Sequence, residues 1–193
     1  MNCYSTQVTF YRCLDCICSG IICGSCCLAD HRRHPFHSIQ KWNGQHFESS
    51  SLHDLGFVLC IGHGGGRCPA SDDEVMDDFP KSCANVSKAP NFTVVDIGGI
   101  YSHIVQWCQC HNAPPKRIQL LRMGLYPASI ISPQTAFTIR LLQYYHMDAL
   151  ECNTPALNFY RKLRRLSNKY HPDKVPVSAI ILFMIQLTLA SIG

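Results

Sequence analysis

Cys13-Leu14-Asp15-Cys16, then Cys23-Gly24-Ser25-Cys26, then His31, His34 and His37 at three-residue steps: this stretch decides how the chain folds. Deprotonated thiolates and neutral imidazoles fill a tetrahedral zinc shell, and a two-residue spacer lets both thiols of a knuckle reach one ion. Cysteines scattered at random would rarely fall at these intervals. The pattern predicts a folded, metal-nucleated binding module before it predicts a catalyst.

In a cross-braced zinc fold, ligand pairs alternate. Cys13 and Cys16 would then join His31 and His34 around one ion, while Cys23 and Cys26 serve a second. Cys18, Cys27 and His37 are spare donors that could substitute. The spacing Cys-x2-Cys-x4-His-x2-His resembles the second half of a B-box, a small interaction fold. A complete B-box has an earlier ligand pair, and here only Cys3 stands upstream. One structural zinc carries on the order of 10 to 16 kcal/mol of apparent binding energy, comparable to the stability of a whole domain. A catalytic zinc needs an open coordination position and a nearby base, and the local carboxylates are Asp15 and Asp30. Asp30 adjoins His31 and is expected to cap or orient the helix carrying the histidines. A thiolate-rich shell makes a poor Lewis acid, so the expected role is structural and the chain is read as no enzyme.

The rest of the composition sets limits. With 193 residues, 47% of them hydrophobic and 16% charged, the chain can bury a core and holds one or two domains. Thirteen cysteines follow an N-terminus that lacks the apolar run of a secretory signal. They read as thiols of a reducing compartment, nucleus or cytoplasm, where clustered Cys and His hold metal. A net charge of +4 does not by itself argue for nucleic acid.

Four zones follow. Residues 1–47 form the Cys/His cluster. Residues 48–134 form a strand and loop region: an apolar run from Leu55 to Ile61, then His63-Gly64-Gly65-Gly66, then Phe92 to Ile97 and Ile104 to Trp107 as a hairpin around Gly98-Gly99. The second hairpin strand runs into Cys108-Gln109-Cys110. Two thiolates do not close a zinc site, so partners must come from His63, Cys68 or Cys83, unless these are buried free cysteines. Residues 135–176 read as helical, with a first helix from Thr135 to Leu150 and a second from Pro155 to near Tyr170. Residues 177–193 are an apolar tail, shorter than the roughly 20 residues that span a bilayer; membrane association through it is unfavoured but open. The fold class expected is α+β: a small zinc-stabilised, B-box-like N-terminal module, a short β-hairpin region and two or three C-terminal helices.

Several separated motifs in one order carry a wider likeness. Phe10-Tyr11-Arg12-Cys13-Leu14-Asp15-Cys16, Cys23-Gly24-Ser25-Cys26-Cys27, His31-Arg32-Arg33, Pro35-Phe36-His37 and Lys41-Trp42-Asn43-Gly44 lead into Leu55-Gly56, His63, Cys68 and Cys108-x-Cys110. Arg117-Ile118-Gln119-Leu120-Leu121-Arg122, Tyr126-Pro127-Ala128 and Pro133-Gln134-Thr135-Ala136 complete the series. Together, over roughly residues 8–176, they resemble the CxC-type cysteine-cluster domain associated with KDZ transposases of fungal mobile elements. The resemblance implies zinc chelation and engagement of DNA or a protein. Tyr101 stands where that family usually has histidine, with His103 nearby.

The resemblance also implies a front end without the transposase body, because a nuclease core needs acidic metal ligands on a separate, larger fold. Basic residues are the one hint of phosphate contact: Arg32, Arg33, Lys116, Arg117, Arg122 and the run Arg161, Lys162, Arg164, Arg165, Lys169. Two other readings compete. His171-Pro172-Asp173 copies the loop of J-domain co-chaperones that contact an Hsp70-type ATPase, and the chain could instead be a gene fragment without selected activity. No small-molecule substrate is expected.

Overall fold

The computed structural model describes residues 9–17, 20–70 and 91–168. Cys3, Cys18, Cys83, the His171-Pro172-Asp173 loop and the apolar tail lie outside the described residues. The architecture is mixed α/β, with two sheets and four α-helices among the described residues.

The first sheet contains β1 (Phe10–Cys13), β2 (Ile22–Cys23), β3 (Ile39–Trp42) and β4 (Phe47–Ser50), in the order β2-β1-β3-β4 and antiparallel throughout. Side chains alternate across the pleat of β1, so Tyr11 and Cys13 are buried while Phe10 and Arg12 face out. The β3–β4 turn is made by Asn43, whose Oδ1 accepts the backbone N–H of Gln45 and of His46, both at 2.9 Å. Helix α1 (Gly24–Asp30) and a 3-10 turn (His31–Arg33) connect β2 to β3.

The second sheet contains β5 (Val58–Ile61), β6 (Phe92–Asp96), β7 (Gly99–Trp107), β8 (Leu125–Pro127) and β9 (Thr135–Thr138), in the order β5-β7-β6-β9-β8. The hairpin expected around Gly98-Gly99 is β6 and β7, in antiparallel register from Phe92 opposite His103 to Asp96 opposite Gly99. It is the centre of a five-stranded sheet rather than an isolated pair. β5 joins β7 in parallel, and β9 joins β6 in parallel. Helix α2 (Lys116–Arg122) leads from β7 to β8.

Thr135–Thr138 is a correction to the expected helix start. Ala136 and Phe137 lie opposite Val94 and Val95 on β6, and this pairing overrides the helical pattern downstream. Helix α3 (Ile139–Cys152) begins where Thr138 Oγ1 caps it by accepting the N–H of Leu141 at 3.3 Å. Asn153, at φ 49°, ends α3 in the left-handed region, and Pro155 precedes α4 (Ala156–Ser167) as expected.

The alternation of β6 and β9 gives the sheet two buried faces. Val94 and Ala136 point into a core with Tyr11, Cys13, Ile39, Phe57, Leu120 and Leu125, which joins the first sheet to the second. Val95 and Phe137 point the other way, into a core with Leu141, Tyr145, Phe159 and Leu163 from α3 and α4. The second sheet is therefore the middle layer. Ser167 fastens the end of α4 to it, its Oγ accepting the Ile100 N–H at 2.6 Å. Among the described residues no helix is long and apolar enough to cross a membrane.

Candidate metal centres

Two groups of four Cys and His side chains converge: Cys13, Cys16, His31 and His37, and His63, Cys68, Cys108 and Cys110. In each group the donor atoms lie within 4.8 Å of one another. With Zn–S near 2.3 Å and Zn–N near 2.05 Å, a regular tetrahedron has S···S edges of about 3.8 Å and S···N edges of about 3.6 Å. In the first group, Cys13 Sγ to His37 Nδ1 is 3.6 Å, Cys16 Sγ to His31 Nε2 is 3.7 Å and Cys16 Sγ to His37 Nδ1 is 3.2 Å. In the second, Cys68 Sγ is 3.9 Å from Cys108 Sγ and 3.6 Å from Cys110 Sγ, and His63 Nε2 is 3.3 and 3.6 Å from those two thiols. These edges run from 3.2 to 3.9 Å, in the range of a small tetrahedral shell, and both donor sets have its composition.

Local structure aims the first set. β1 ends at Cys13, and the chain turns so that the backbone N–H groups of Asp15 and Cys16 point at Cys13 Sγ, at 3.4 and 3.3 Å. Asp15 Oδ2 accepts the Ser38 N–H at 2.5 Å, tying the knuckle to the approach of β3. His31 follows α1 and donates its Nδ1–H to the Cys27 carbonyl at 2.7 Å, which leaves Nε2 for the thiols. Asp30 does not cap the 3-10 turn with its side chain; the bracing carboxylate is Asp15. His34 stacks on His37, with ring centroids 4.8 Å apart, and stands outside the group. Cys23 and Cys26 also lie outside it, Cys23 at the N-cap of α1 with its Sγ 3.1 Å from Ser25 Oγ. Burial pushes the Cys16 thiol up to about 11, with Cys13 beside it adding to the effect, and burial pushes Cys27 up to about 12. Cys27 is completely buried under His31 and packs as an apolar residue.

Topology builds the second set. β5 and β7 run parallel with Ile61 opposite Trp107, so both strands end at the same edge and deliver Gly62-His63 beside Cys108-Gln109-Cys110. Gly62 has φ 109°, and a Cβ there would meet Cys108 Cβ at 3.1 Å, so a side chain would crowd the centre. Cys68 Sγ receives the Gln109 N–H at 3.3 Å, the first of several hydrogen bonds that pull this thiol down to about 6. Cys110 is pushed up to about 11 by its hydrogen bonds to Cys68 and Cys108. A divalent cation would favour the thiolate form of its cysteine ligands.

One residue beyond the candidate ligands shapes this centre. Gln119, buried on α2, accepts the Cys108 N–H at 2.9 Å and donates to the Cys108 carbonyl at 3.2 Å and to that of Pro114 at 2.8 Å. A single glutamine carries no spacing signal, and only the fold reveals it.

The family model described as CxC2-like cysteine cluster associated with KDZ transposases matches residues 52–171, more than half of the chain. The chain belongs to this family. No curated protein and no solved structure matches it. The second centre lies entirely within the matched CxC2-like cluster, and the first lies on its N-terminal side. Tyr101 and His103 of the cluster reach neither centre. His103 is 2% exposed in a cage of Phe36, Phe57 and Tyr101, and neither ring nitrogen has a hydrogen-bond partner among the described residues. Of the basic residues in the cluster, Lys116 lies over Trp107, and Lys162 pairs with Asp148 at 3.3 Å.

Proposed function

We propose that this chain is a non-catalytic, zinc-stabilised module that docks onto DNA or a protein, with DNA as the first partner to test. The observation that carries the reading is the match between both donor sets and the edges of a tetrahedral zinc shell. Cys2His2 and Cys3His are donor sets that zinc favours, and thiolates disfavour magnesium or calcium. Four protein donors in each shell leave no position for a substrate or an activated water, which supports a structural role. The Cys13/Cys16 knuckle, answered by histidines after a short helix, supports a B-box-like use of the N-terminal module as an interaction surface.

Both potential metal groups among the described residues are built from Cys and His, whereas phosphoryl transfer by two metal ions relies on carboxylates. We therefore assign no transposase chemistry to these residues. Thiolate ligands fit a reducing compartment, nucleus or cytoplasm. The test is native mass spectrometry of the full chain: two zinc ions are expected, falling to one in Cys13→Ser and to one in Cys108→Ser. Protein that stays folded and metal-free would end the reading. DNA retention at several salt concentrations then tests the partner, because binding through phosphates must weaken as salt rises.

A further inference from the structure

Beside the first metal centre lies a groove of about 360 Å³. One wall is the turn that carries Arg33, His34 and His37; the other is the Met123-Gly124-Leu125 turn and the start of α3, with Arg140. No aspartate or glutamate lines it. We propose that this groove seats a backbone phosphate of a nucleic acid strand, an assignment that rests on the DNA reading above and gives it a place.

The two arginines are presented in different ways. Arg140 is clamped by Asp96 through Nε and Nη2, yet its side chain remains 60% exposed, so the guanidinium is held at a fixed position beside the groove. Asp96 is buried and offsets the Arg140 charge. Arg33 supplies the net positive charge: it is exposed, and it sits on the 3-10 turn between two candidate metal ligands, His31 and His37. An ion held by His31 and His37 would therefore fix the backbone on both sides of it. A guanidinium presents a planar fork of donors that matches phosphate oxygens in pairs.

The start of α3 adds a favourable field but few free donors, since the Ile139 N–H goes to the Gly124 carbonyl and the Leu141 N–H to Thr138. Recognition accordingly falls to side chains. The volume is at the small end of ligand pockets, enough for a phosphate and its sugar but not for a base pair. One further cation adjoins the far wall in the chain, because Arg122, exposed at the end of α2, immediately precedes Met123. Ordinary solvated arginines project from convex surface, whereas Arg33 lines a concavity.

The experiment is fluorescence anisotropy of a labelled DNA duplex with the zinc-loaded full chain over a salt series, using Arg33→Gln, Arg122→Gln and Arg161→Gln, each checked for unchanged zinc content. Arg33→Gln is expected to weaken binding about 3- to 10-fold and to lower the slope of log affinity against log salt by about 0.9, the signature of one lost phosphate contact. If the wild type binds DNA but Arg33→Gln binds equally well, or only Arg161→Gln loses affinity, the groove is wrong and the DNA reading stands. If the wild type shows no salt-dependent binding, the DNA reading falls and takes the groove with it. Displacement by poly-glutamate as effective as by unlabelled DNA would overturn the phosphate assignment in favour of an acidic protein.

Discussion

Gln119 holds Cys108 by both of its backbone polar groups. The side-chain amide thereby fixes the peptide units on either side of a candidate metal ligand and, through the Pro114 carbonyl, the loop that follows it. Gln119→Leu keeps the approximate volume and leaves these part-buried groups without their partner, a cost of at most about 1–3 kcal/mol for each unsatisfied group. Outer-sphere partners of this kind also tune metal affinity by about 10- to 100-fold. Competition with a chromophoric chelator is expected to show one zinc site weakened by that factor and the other unchanged.

The stacked pair His34 and His37 offers a sharp discrimination at the first centre. His37→Ala removes the imidazole whose Nδ1 lies 3.2 and 3.6 Å from the two thiols, whereas His34→Ala removes only its neighbour. Cobalt substitution followed by visible absorption reads the outcome. Tetrahedral ligand-field bands from two sites are expected in His34→Ala and from one in His37→Ala; the reverse pattern would reassign the shell.

Acid should reach the protein through His103. Burial, with a smaller contribution from His53, lowers its proton affinity from the ordinary 6.5 to about 4. The unfolded chain takes up this proton below about pH 6.5 and the folded chain does not until about pH 4, so stability is lost as pH falls through that interval. Each pH unit carries about 1.4 kcal/mol, giving a loss of about 3 kcal/mol across the window. Acid would also release any metal held by thiolates, so the readout is the difference between wild type and His103→Phe in urea melts at matched metal content. The wild type should lose more stability than the variant between pH 6.5 and 4, and parallel curves would contradict the assignment.

Asp96 is the charged anchor under α3. It is 1% exposed, accepts from Thr138 Oγ1 at 2.6 Å and from Arg140 Nε at 2.7 Å, and receives the Gly98 N–H. Burial alone would raise its pKa, but these donors win and hold it below the usual carboxylate value. Asp96→Ala strands the Thr138 hydroxyl and frees Arg140, and should destabilise the fold by about 3–5 kcal/mol in urea denaturation. Because Arg140 is partly exposed, the reciprocal Arg140→Ala should cost about as much only if the Asp96 charge, rather than the arginine, dominates the penalty.

Much of this arrangement was legible in the residues, for reasons that particular elements make plain. The β6–β7 hairpin announced itself through β-branched runs around Gly98-Gly99, and α4 through Pro155. The strand Thr135–Thr138 did not, because its conformation depends on pairing with Val94 and Val95, about 40 positions earlier in the chain. Helix α2 spans seven residues, too short for periodicity to speak. Cysteine spacing put Cys23 and Cys26 on the same footing as Cys13 and Cys16, although only the latter two converge with histidines, and whether His34 or His37 faces the thiols depends on the path of the turn through Pro35, which spacing does not encode. The meeting of His63 and Cys68 with Cys108 and Cys110 required the parallel register of β5 on β7, a relation between distant segments.

The shared core beneath the two sheets bears on where this protein can be cut. The family match starts at Leu52, but Leu52 itself packs in a core with Tyr11, Cys13 and Ile39 from the preceding sheet. A recombinant fragment beginning at the match would bare the greasy underside of Phe57, Phe92 and Leu120 to water and should precipitate or self-associate. The border of recognisable kinship and the border of an autonomous folding unit are here two different places, and a usable expression boundary must be drawn upstream of Phe10.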